Sequence, residues 1–170
     1  QARIDQLHLP EVWSRTFGTA SHNGEERDAF EIHGLFALHA CDTASCDALA
    51  AGVTLNAELI AVAPCCQAEL ASAWAQLSES AEPQAVFALI WCSPHLRREV
   101  GATMTDALRA LLVRGCGYTV TPMEFVPSTH TPKNTLLRAT KPSTSSTDGY
   151  RPETGGAPFE EYLRLRKLLG

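Results

Sequence analysis

The sequence predicts an α/β fold built on a mostly parallel sheet, and two apolar runs with similar surroundings lead to that prediction. The run LFALHA passes directly into the polar turn CDTASC, and the run ELIAVA passes into PCCQ. Each is followed by a segment of helix-forming composition, which gives the βαβα order of a parallel sheet. Because ligands bind at the carboxyl ends of neighbouring parallel strands, we expect the two cysteine-bearing turns to share one site.

Length and composition indicate one soluble globular domain. The 170 residues are 45% hydrophobic, which is enough to bury a sizeable core. We expect no membrane contact, because no apolar run approaches the ~20 residues of a membrane span and no leader peptide opens the sequence. The net charge of -5 gives no overall attraction to nucleic acid. A local basic patch still leaves RNA contact open; it comprises Arg97, Arg98, Arg109 and Arg114.

The cysteines lie within or at the ends of apolar segments, unlike the loop cysteines of a disulfide-stapled scaffold. They are Cys41, Cys46, Cys65, Cys66, Cys92 and Cys116. This distribution predicts free thiols and a reducing intracellular compartment, either the cytoplasm or a mitochondrion.

The first elements follow from composition and turn residues. The chain begins with Gln1 in what has the composition of a helix end, so we expect further sequence upstream. Residues 12–19 predict a short strand, and residues 21–28 predict a polar loop that contains glycine. A buried strand is predicted over 30–40 because that segment is dominated by apolar residues.

The middle elements alternate helix and strand. A helix over 43–51 is predicted to start at an N-cap of Asp42 or Thr43 and to end with Gly52 in the C′ position. A second buried strand follows over 58–63, where the run ELIAVA is almost continuously apolar.

The later elements are two helices and a strand pair. Alanine content predicts a helix over 67–77, and apolar residues at helical spacing predict an amphipathic helix over 103–114 that the glycines at 115–117 break. Alternating residues over 118–126 and 135–139 predict a final antiparallel pair.

The C-terminal part is predicted to be a separate helix on a linker. Residues 142–158 are rich in Ser, Thr, Gly and Pro, which is typical of a linker. This linker joins a main domain, residues 1–141, to residues 159–170, where apolar spacing predicts a helix over 159–169.

Four blocks of sequence resemble one family of class I S-adenosylmethionine-dependent methyltransferases. In order they are ALHACDTASCDALAAGV, LIAVAPCCQAEL, LRREVGATMTDALRALLVRGCGY and EFVPSTHTPKNTLLRA. They are similar to the bacterial and organellar members, whose eukaryotic relatives include tRNA 2′-O-methyltransferases and the glutathione S-transferase C-terminal-domain-containing protein. The resemblance covers residues 1–141 and implies a Rossmann-like, seven-stranded sheet with an antiparallel last strand. This chain would supply its third to seventh strands.

The resemblance also implies roles for the first turn. It implies S-adenosylmethionine as cofactor, bound beside Ala40, Cys41 and Asp42, and RNA or a ribonucleoprotein as substrate or partner. Asp42 and His39 would be catalytic, with Asp42 orienting or deprotonating a hydroxyl or amine nucleophile. The alternatives are that Asp42 only caps the following helix and that His39 is a satisfied core residue.

Substrate contacts are implied at the second turn and at three cations. The turn residues are Pro64, Cys65, Cys66 and Gln67, for which small buried packing is the alternative. The cations are Arg97, Arg98 and Lys133, which would meet phosphates at the mouth of the site. The alternative is a solvated face in which Arg97 or Arg98 pairs with Glu99 or Asp106.

Zinc and thiolate chemistry are the competing interpretations of the cysteines. His39 and Cys41 would converge with Cys65 and Cys66 if the two strands are adjacent, and these residue types bind zinc. We nevertheless predict no metal, because adjacent cysteines point apart on an extended backbone and no CxxC pair is present. Catalysis by a Cys41 or Cys46 thiolate is disfavoured because no histidine and acid clearly accompany either residue.

Two departures from the family pattern leave an alternative function open. The sequence has no GxGxG-like loop, so the cofactor-binding half is expected upstream or on another chain, which would also cover the apolar edge of the strand at 30–40. Cys46 and Ala68 stand where the family often has an acidic residue and a histidine. The alternative is therefore a catalytically inactive structural subunit or assembly factor of a large ribonucleoprotein such as a ribosome.

Overall fold

The structure is a computed structural model that describes residues 32–80, 87–131, 133–142 and 156–169. Four strands form one sheet within these ranges: β1 (Gly34–Ala40), β2 (Leu59–Pro64), β3 (Thr119–Glu124) and β4 (Thr135–Thr140). The helices of the described part are α1 (Thr43–Thr54), α2 (Glu69–Ser80), α3 (Ala88–Cys92), α4 (Pro94–Gly115) and α5 (Ala157–Leu169). The helix end, strand and loop predicted before residue 29 lie outside the described residues.

The sheet has the strand order β1-β2-β4-β3. β1 and β2 are parallel neighbours, as a strand, helix and strand in succession require. β4 enters between β2 and β3 and is antiparallel to both. The predicted mixed α/β architecture with an antiparallel last strand is therefore confirmed, and the predicted final strand pair forms.

One face of the sheet carries the core. Ile60 and Val62 of β2 are fully buried, and Val62 lies opposite Leu137 of β4, which is 1% exposed. Residues from α1 and α4 cover this face, among them Leu49 and Val113. Burying each large aliphatic side chain contributes about 1.5–3 kcal/mol, so this face holds the sheet and the two helices together.

The opposite face of β1 is exposed. Phe36 and Leu38 are 68% and 64% exposed, whereas Leu35 and Ala37, which alternate with them, are partly buried against the core. Successive side chains of a strand point to opposite faces, so this pattern means that β1 buries one face only. The prediction of a buried strand is therefore wrong for one face of β1. The predicted open edge is found, because β1 is an end strand of the described sheet.

The described helices differ from their predicted bounds, and two of the differences have a clear physical cause. α1 continues past Gly52 to Thr54, because the glycine serves close packing rather than a helix stop: a Cβ there would lie 2.7 Å from the Ile60 Cδ1 atom. α4 begins at Pro94 instead of residue 103. Ser93 is its N-cap and accepts a hydrogen bond from the Leu96 N–H at 3.5 Å, while proline fits the first helical position because no donor is needed there.

The terminal helix packs on the main fold. The Trp74 indole N–H of α2 donates to the carbonyl oxygen of Leu169 in α5 at 2.8 Å, and this bond is buried. A Cβ on Gly115 would lie 3.3 Å from the Phe159 Cβ, so the end of α4 and the start of α5 are in close contact. None of the helices in the described ranges combines the length and apolar character needed to cross a membrane.

Candidate functional site

The turns after β1 and β2 lie side by side. Ala40 is in register with Pro64, and the next residue on each strand is a cysteine. The Cys41 and Cys65 Sγ atoms are 2.9 Å apart. The Asp42 N–H donates to the carbonyl oxygen of Cys66 at 2.8 Å. The structure thus brings the two turns together into one cluster at the carboxyl edge of the sheet.

A bulge at His39 sets the position of the first turn. Pairing passes from Leu38 with Ala63 to Ala40 with Pro64, which leaves His39 as an extra residue with a left-handed φ of 56°. Bulges of this kind redirect a strand and are common next to active sites. His39 is exposed, so the alternative of a core histidine is wrong. Its carbonyl oxygen accepts a hydrogen bond from the Cys41 thiol at 3.7 Å.

Asp42 adopts a backbone conformation that favours glycine. Its φ is 50° and its ψ is -120°, and the Ala44 N–H donates to the Cys41 carbonyl oxygen at 3.1 Å. This geometry is that of the first central residue of a type II′ turn, where glycine is preferred. Holding a non-glycine residue there costs about 1–3 kcal/mol.

The Asp42 side chain contacts the second turn rather than its own helix. It makes no capping hydrogen bond to α1, so the capping alternative is wrong although Asp42 occupies the N-cap position. Its Oδ1 instead accepts from the Ala68 backbone N–H at 3.4 Å. Strained residues that the fold maintains cluster at functional sites, which favours a role for this carboxylate.

Arg109 of α4 is a buried centre of contacts beneath both turns. It is 5% exposed, and its Nη2 donates to the Asp42 carbonyl oxygen at 2.7 Å. Its Nη1 donates to Asp106 Oδ1 at 3.1 Å, and its Nε donates to the Cys46 sulfur at 3.3 Å. The same Asp106 oxygen accepts from Gln67 Nε2 at 2.7 Å. One guanidinium therefore connects α4, α1 and the first turn, and through Asp106 it reaches the second.

Asp106 has an unusual electrostatic environment. Burial raises the pKa of its carboxyl, while the hydrogen bonds from Gln67 and Arg109 oppose that rise. The sequence predicted a local basic patch that contains Arg109, and one of the alternatives paired Arg97 or Arg98 with Glu99 or Asp106. The structure pairs Asp106 with Arg109 instead. The spacing of three residues on one helix was a signal available in the sequence.

Three thiols converge at this edge. The Cys65 and Cys66 Sγ atoms are 3.7 Å apart, and all three, including that of Cys41, lie within 4.8 Å of one another. The prediction that adjacent cysteines point apart is wrong here, because β2 ends at Pro64 and the chain is no longer extended. Hydrogen bonding to Cys65 raises the pKa of the Cys41 thiol to about 12, and the same bond lowers the pKa of Cys65.

The predicted cations do not form one group with the turns. Lys133 is exposed and its charge acts on Asp106, which puts it near the site. Arg97, in the first turn of α4, is partly buried, and its guanidinium donates a hydrogen bond to the carbonyl oxygen of Trp91 in α3. Arg98 is exposed.

An apolar cleft lies beside the site, between α1 and α4. It has a volume of about 280 Å³, and its lining includes Leu49, Val53 and Leu112. Arg109 and Cys46 also line it, so the cleft adjoins the hydrogen-bond network but not the strand ends themselves.

Comparison with known proteins gives one match. A family model described as a methyltransferase domain matches residues 2–73, a range that contains β1, α1, β2 and both turns. No curated protein and no solved structure significantly matches the chain. The family match supports a methyltransferase, and the strand-end cluster lies inside the matched range.

Proposed function

We propose that this chain is the acceptor-orienting part of a Rossmann-like, S-adenosylmethionine-dependent methyltransferase that acts on RNA. One observation supports this most: Asp42 is kept in a turn position that favours glycine, at the joint carboxyl edge of two parallel strands. That edge is where the α/β architecture binds ligands. A carboxylate retained there at a cost in stability is best explained by chemistry that needs it.

The described residues fit the reacting end of this cofactor. A carboxylate and an acidified thiol are suitable neighbours for a positively charged sulfonium, and Asp42 and Cys65 supply them at the strand ends. Ala40 and Cys41 would border the same group. The glycine-rich loop that holds such a cofactor does not occur in the sequence, so we assign that task to residues outside this chain. When bound, the cofactor supplies a methyl group on a cationic sulfur.

Asp42 would orient the acceptor. The described hydrogen bond of its side chain uses Oδ1, which leaves Oδ2 for a substrate hydroxyl or amine within the described part of the chain. From there it would hold the acceptor proton and remove it as the new bond forms. Arg109 acts as a positioning residue, because its bond to the Asp42 carbonyl fixes the turn from beneath.

The second turn would form the opposite wall. Cys66 accepts the Asp42 N–H through its carbonyl, and Gln67 is held by Asp106, so both keep fixed positions relative to Asp42. Pro64 and Cys65 complete this wall. His39 is exposed on its bulge beside the turn, where we assign it to substrate contact.

RNA as the substrate class is supported by sequence resemblance and by the charge of Lys133 near the site, with Arg97 and Arg98 on α4 as further candidate contacts. Lys133 is exposed and close enough to Asp106 for its charge to act there. Arg98 is exposed on α4, and Arg97 is partly buried next to it. Cations at the mouth of a site attract phosphates even when the net charge of the protein is negative.

We further propose that upstream sequence or another chain completes the sheet beside β1. β1 is an edge strand of the described sheet, so its outer backbone groups can pair with a further strand, and the exposed Phe36 and Leu38 offer apolar surface to an element packed on that face. Such a partner would also carry the missing cofactor contacts.

Calorimetry with S-adenosylmethionine tests the proposal. The complete protein should bind it with a micromolar dissociation constant, about -8 kcal/mol, whereas these 170 residues alone should bind negligibly. Tight binding by the isolated chain would contradict the placement of the cofactor contacts. Absence of binding by the complete protein would favour the structural-subunit alternative.

A further inference from the structure

We propose that Cys41 and Cys65 are a redox-modified pair that a peroxide converts reversibly into a disulfide. The two Sγ atoms are already 2.9 Å apart in a structure in which all six cysteines are free thiols. The pair lies within the proposed methyl-transfer site, but its oxidation does not depend on methyl transfer.

The fold already holds the two thiols close together. The two cysteines directly follow Ala40 and Pro64, which are in register on neighbouring parallel strands. The Sγ atoms would have to approach from 2.9 Å to the ~2.05 Å of a disulfide bond. Two hydrogen bonds fasten the turns to each other: the Asp42 N–H to the Cys66 carbonyl at 2.8 Å and the Ala68 N–H to the Asp42 carboxylate at 3.4 Å.

The two thiols differ in the way that oxidation chemistry needs. Cys41 is exposed and Cys65 is partly buried, so a small oxidant reaches the pair. The hydrogen bond between them lowers the pKa of Cys65 and raises the pKa of Cys41 to about 12. Cys65 is therefore the thiolate nucleophile, and Cys41 is the protonated partner that reacts second.

The reaction balances with hydrogen peroxide as the oxidant. The Cys65 thiolate attacks one peroxide oxygen, the O–O bond breaks, and the departing hydroxide takes up a proton to give water and a Cys65 sulfenic acid. The Cys41 sulfur then attacks the Cys65 sulfur; the S–O bond breaks, and the hydroxide leaves with the Cys41 proton as a second water. Two electrons pass from the two thiols to the peroxide.

A metal site is the competing use of these thiols. Two sulfurs that share a tetrahedral zinc ion lie about 3.8 Å apart, because each Zn–S bond is about 2.3 Å. The separation of Cys41 and Cys65 is shorter, at 2.9 Å, and Cys66 is 3.7 Å from Cys65. Zinc binding by the three thiols would contradict the proposal.

Peptide mapping of the oxidised chain tests it. The reduced chain is treated with hydrogen peroxide, remaining thiols are blocked with N-ethylmaleimide, and cross-linked peptides are identified by mass spectrometry before and after dithiothreitol. We expect a Cys41–Cys65 cross-link that dithiothreitol removes. A different predominant pair, or oxidation of the exposed Cys92 while Cys41 and Cys65 stay free, would overturn the proposal.

Variants and a metal titration separate the alternatives. Cys92→Ser is the matched control, and both it and Cys66→Ser should leave the cross-link intact. Combining Cys41→Ser with Cys66→Ser should remove it and leave Cys65 as a sulfenic acid that dimedone traps. A metal site would be shown by a different result. Zn²⁺ would then bind stoichiometrically and protect all three thiols from alkylation, and Cys66→Ser would abolish this binding as fully as Cys41→Ser. That result would overturn the disulfide proposal. The wild-type map decides the question even if a variant fails to fold.

Discussion

The core face of the sheet and the carboxyl edge of β1 and β2 differ in the side chains they carry. The core face is apolar and buried, whereas the edge carries polar residues, one of them in a strained conformation. On the core face, Ile60, Val62 and Leu137 are at most 1% exposed and have no polar groups to satisfy. At the edge, Asp42 is in a strained conformation and Arg109 is a charge buried among polar contacts. The difference indicates that the stability of the core offsets the energetic cost of the strained, polar edge. The fold can therefore keep a geometry at the edge that is suited to chemistry.

The largest effect should come from the core. Replacing Leu137 by alanine removes a side chain that is 1% exposed and leaves a cavity between β4 and the helices. We expect a loss of about 2–5 kcal/mol in the free energy of unfolding, measured by urea denaturation. Leu112→Ala is the control, because that leucine is 37% exposed and should cost clearly less. Equal losses would mean that the core face does not dominate stability.

The second effect concerns the network beneath the turns. Arg109→Met keeps much of the volume but leaves Asp106 without its cation and the Asp42 carbonyl without its donor. Breaking a buried pair from one side typically costs about 3–5 kcal/mol; here Gln67 still binds Asp106, so we expect the lower end. Arg98→Met is a matched control on the same helix with an exposed arginine. A neutral Arg109→Met would show that the network does not support the site.

The third effect should be of opposite sign. Asp42→Gly removes the cost of a non-glycine residue at φ 50°, so the free energy of unfolding should stay the same or rise by about 1 kcal/mol. Thermal unfolding measures this, with Asp47→Gly in the interior of α1 as a control that should lose roughly 0.3 kcal/mol. A clear loss of stability in Asp42→Gly would mean that the carboxylate is structural.

The smallest effect is a pH dependence at Asp106. Its native pKa is raised above 3.8, so the native state holds this proton more tightly than the unfolded chain. Its stabilising contribution is complete below 3.8 and is lost as the pH rises through the native pKa. Asp106→Asn keeps an oxygen acceptor for Gln67 and Arg109 but does not titrate. Across this interval the wild type should lose stability relative to the variant; a relative gain would show that the pairing with Arg109 outweighs burial.

The sequence predicted the position of the site better than its chemistry. The succession of strand, turn and helix was enough to place Cys41 and Cys65 at neighbouring strand ends, because parallel strands joined by a helix end at the same edge. The sequence did not predict the positive φ of Asp42. The first central position of a type II′ turn favours glycine, and this position carries aspartate.

Tertiary packing explains the other differences. Gly52 has the composition of a helix stop, but the contact with Ile60 requires a glycine inside α1, and only the folded sheet shows this. The clustering of Cys65 with Cys66 depends on the chain turning after Pro64, which an expectation of extended backbone missed. The sequence placed Arg109 in a local basic patch. Its burial depends on the packing of α1 against α4, which only the folded structure shows.

The most direct test of the central claim is methyl transfer by an Asp42→Asn variant of the complete protein. Labelled methyl groups from S-adenosylmethionine are counted on RNA, with Asp47→Asn as the matched control on α1. We expect Asp42→Asn to lower the rate by at least about a hundredfold, since the amide cannot accept the proton, with stability within about 1 kcal/mol of wild type. The control should keep its activity. An Asp42→Asn protein that transfers methyl groups at the wild-type rate would contradict the assignment of Asp42 as the acceptor-orienting residue.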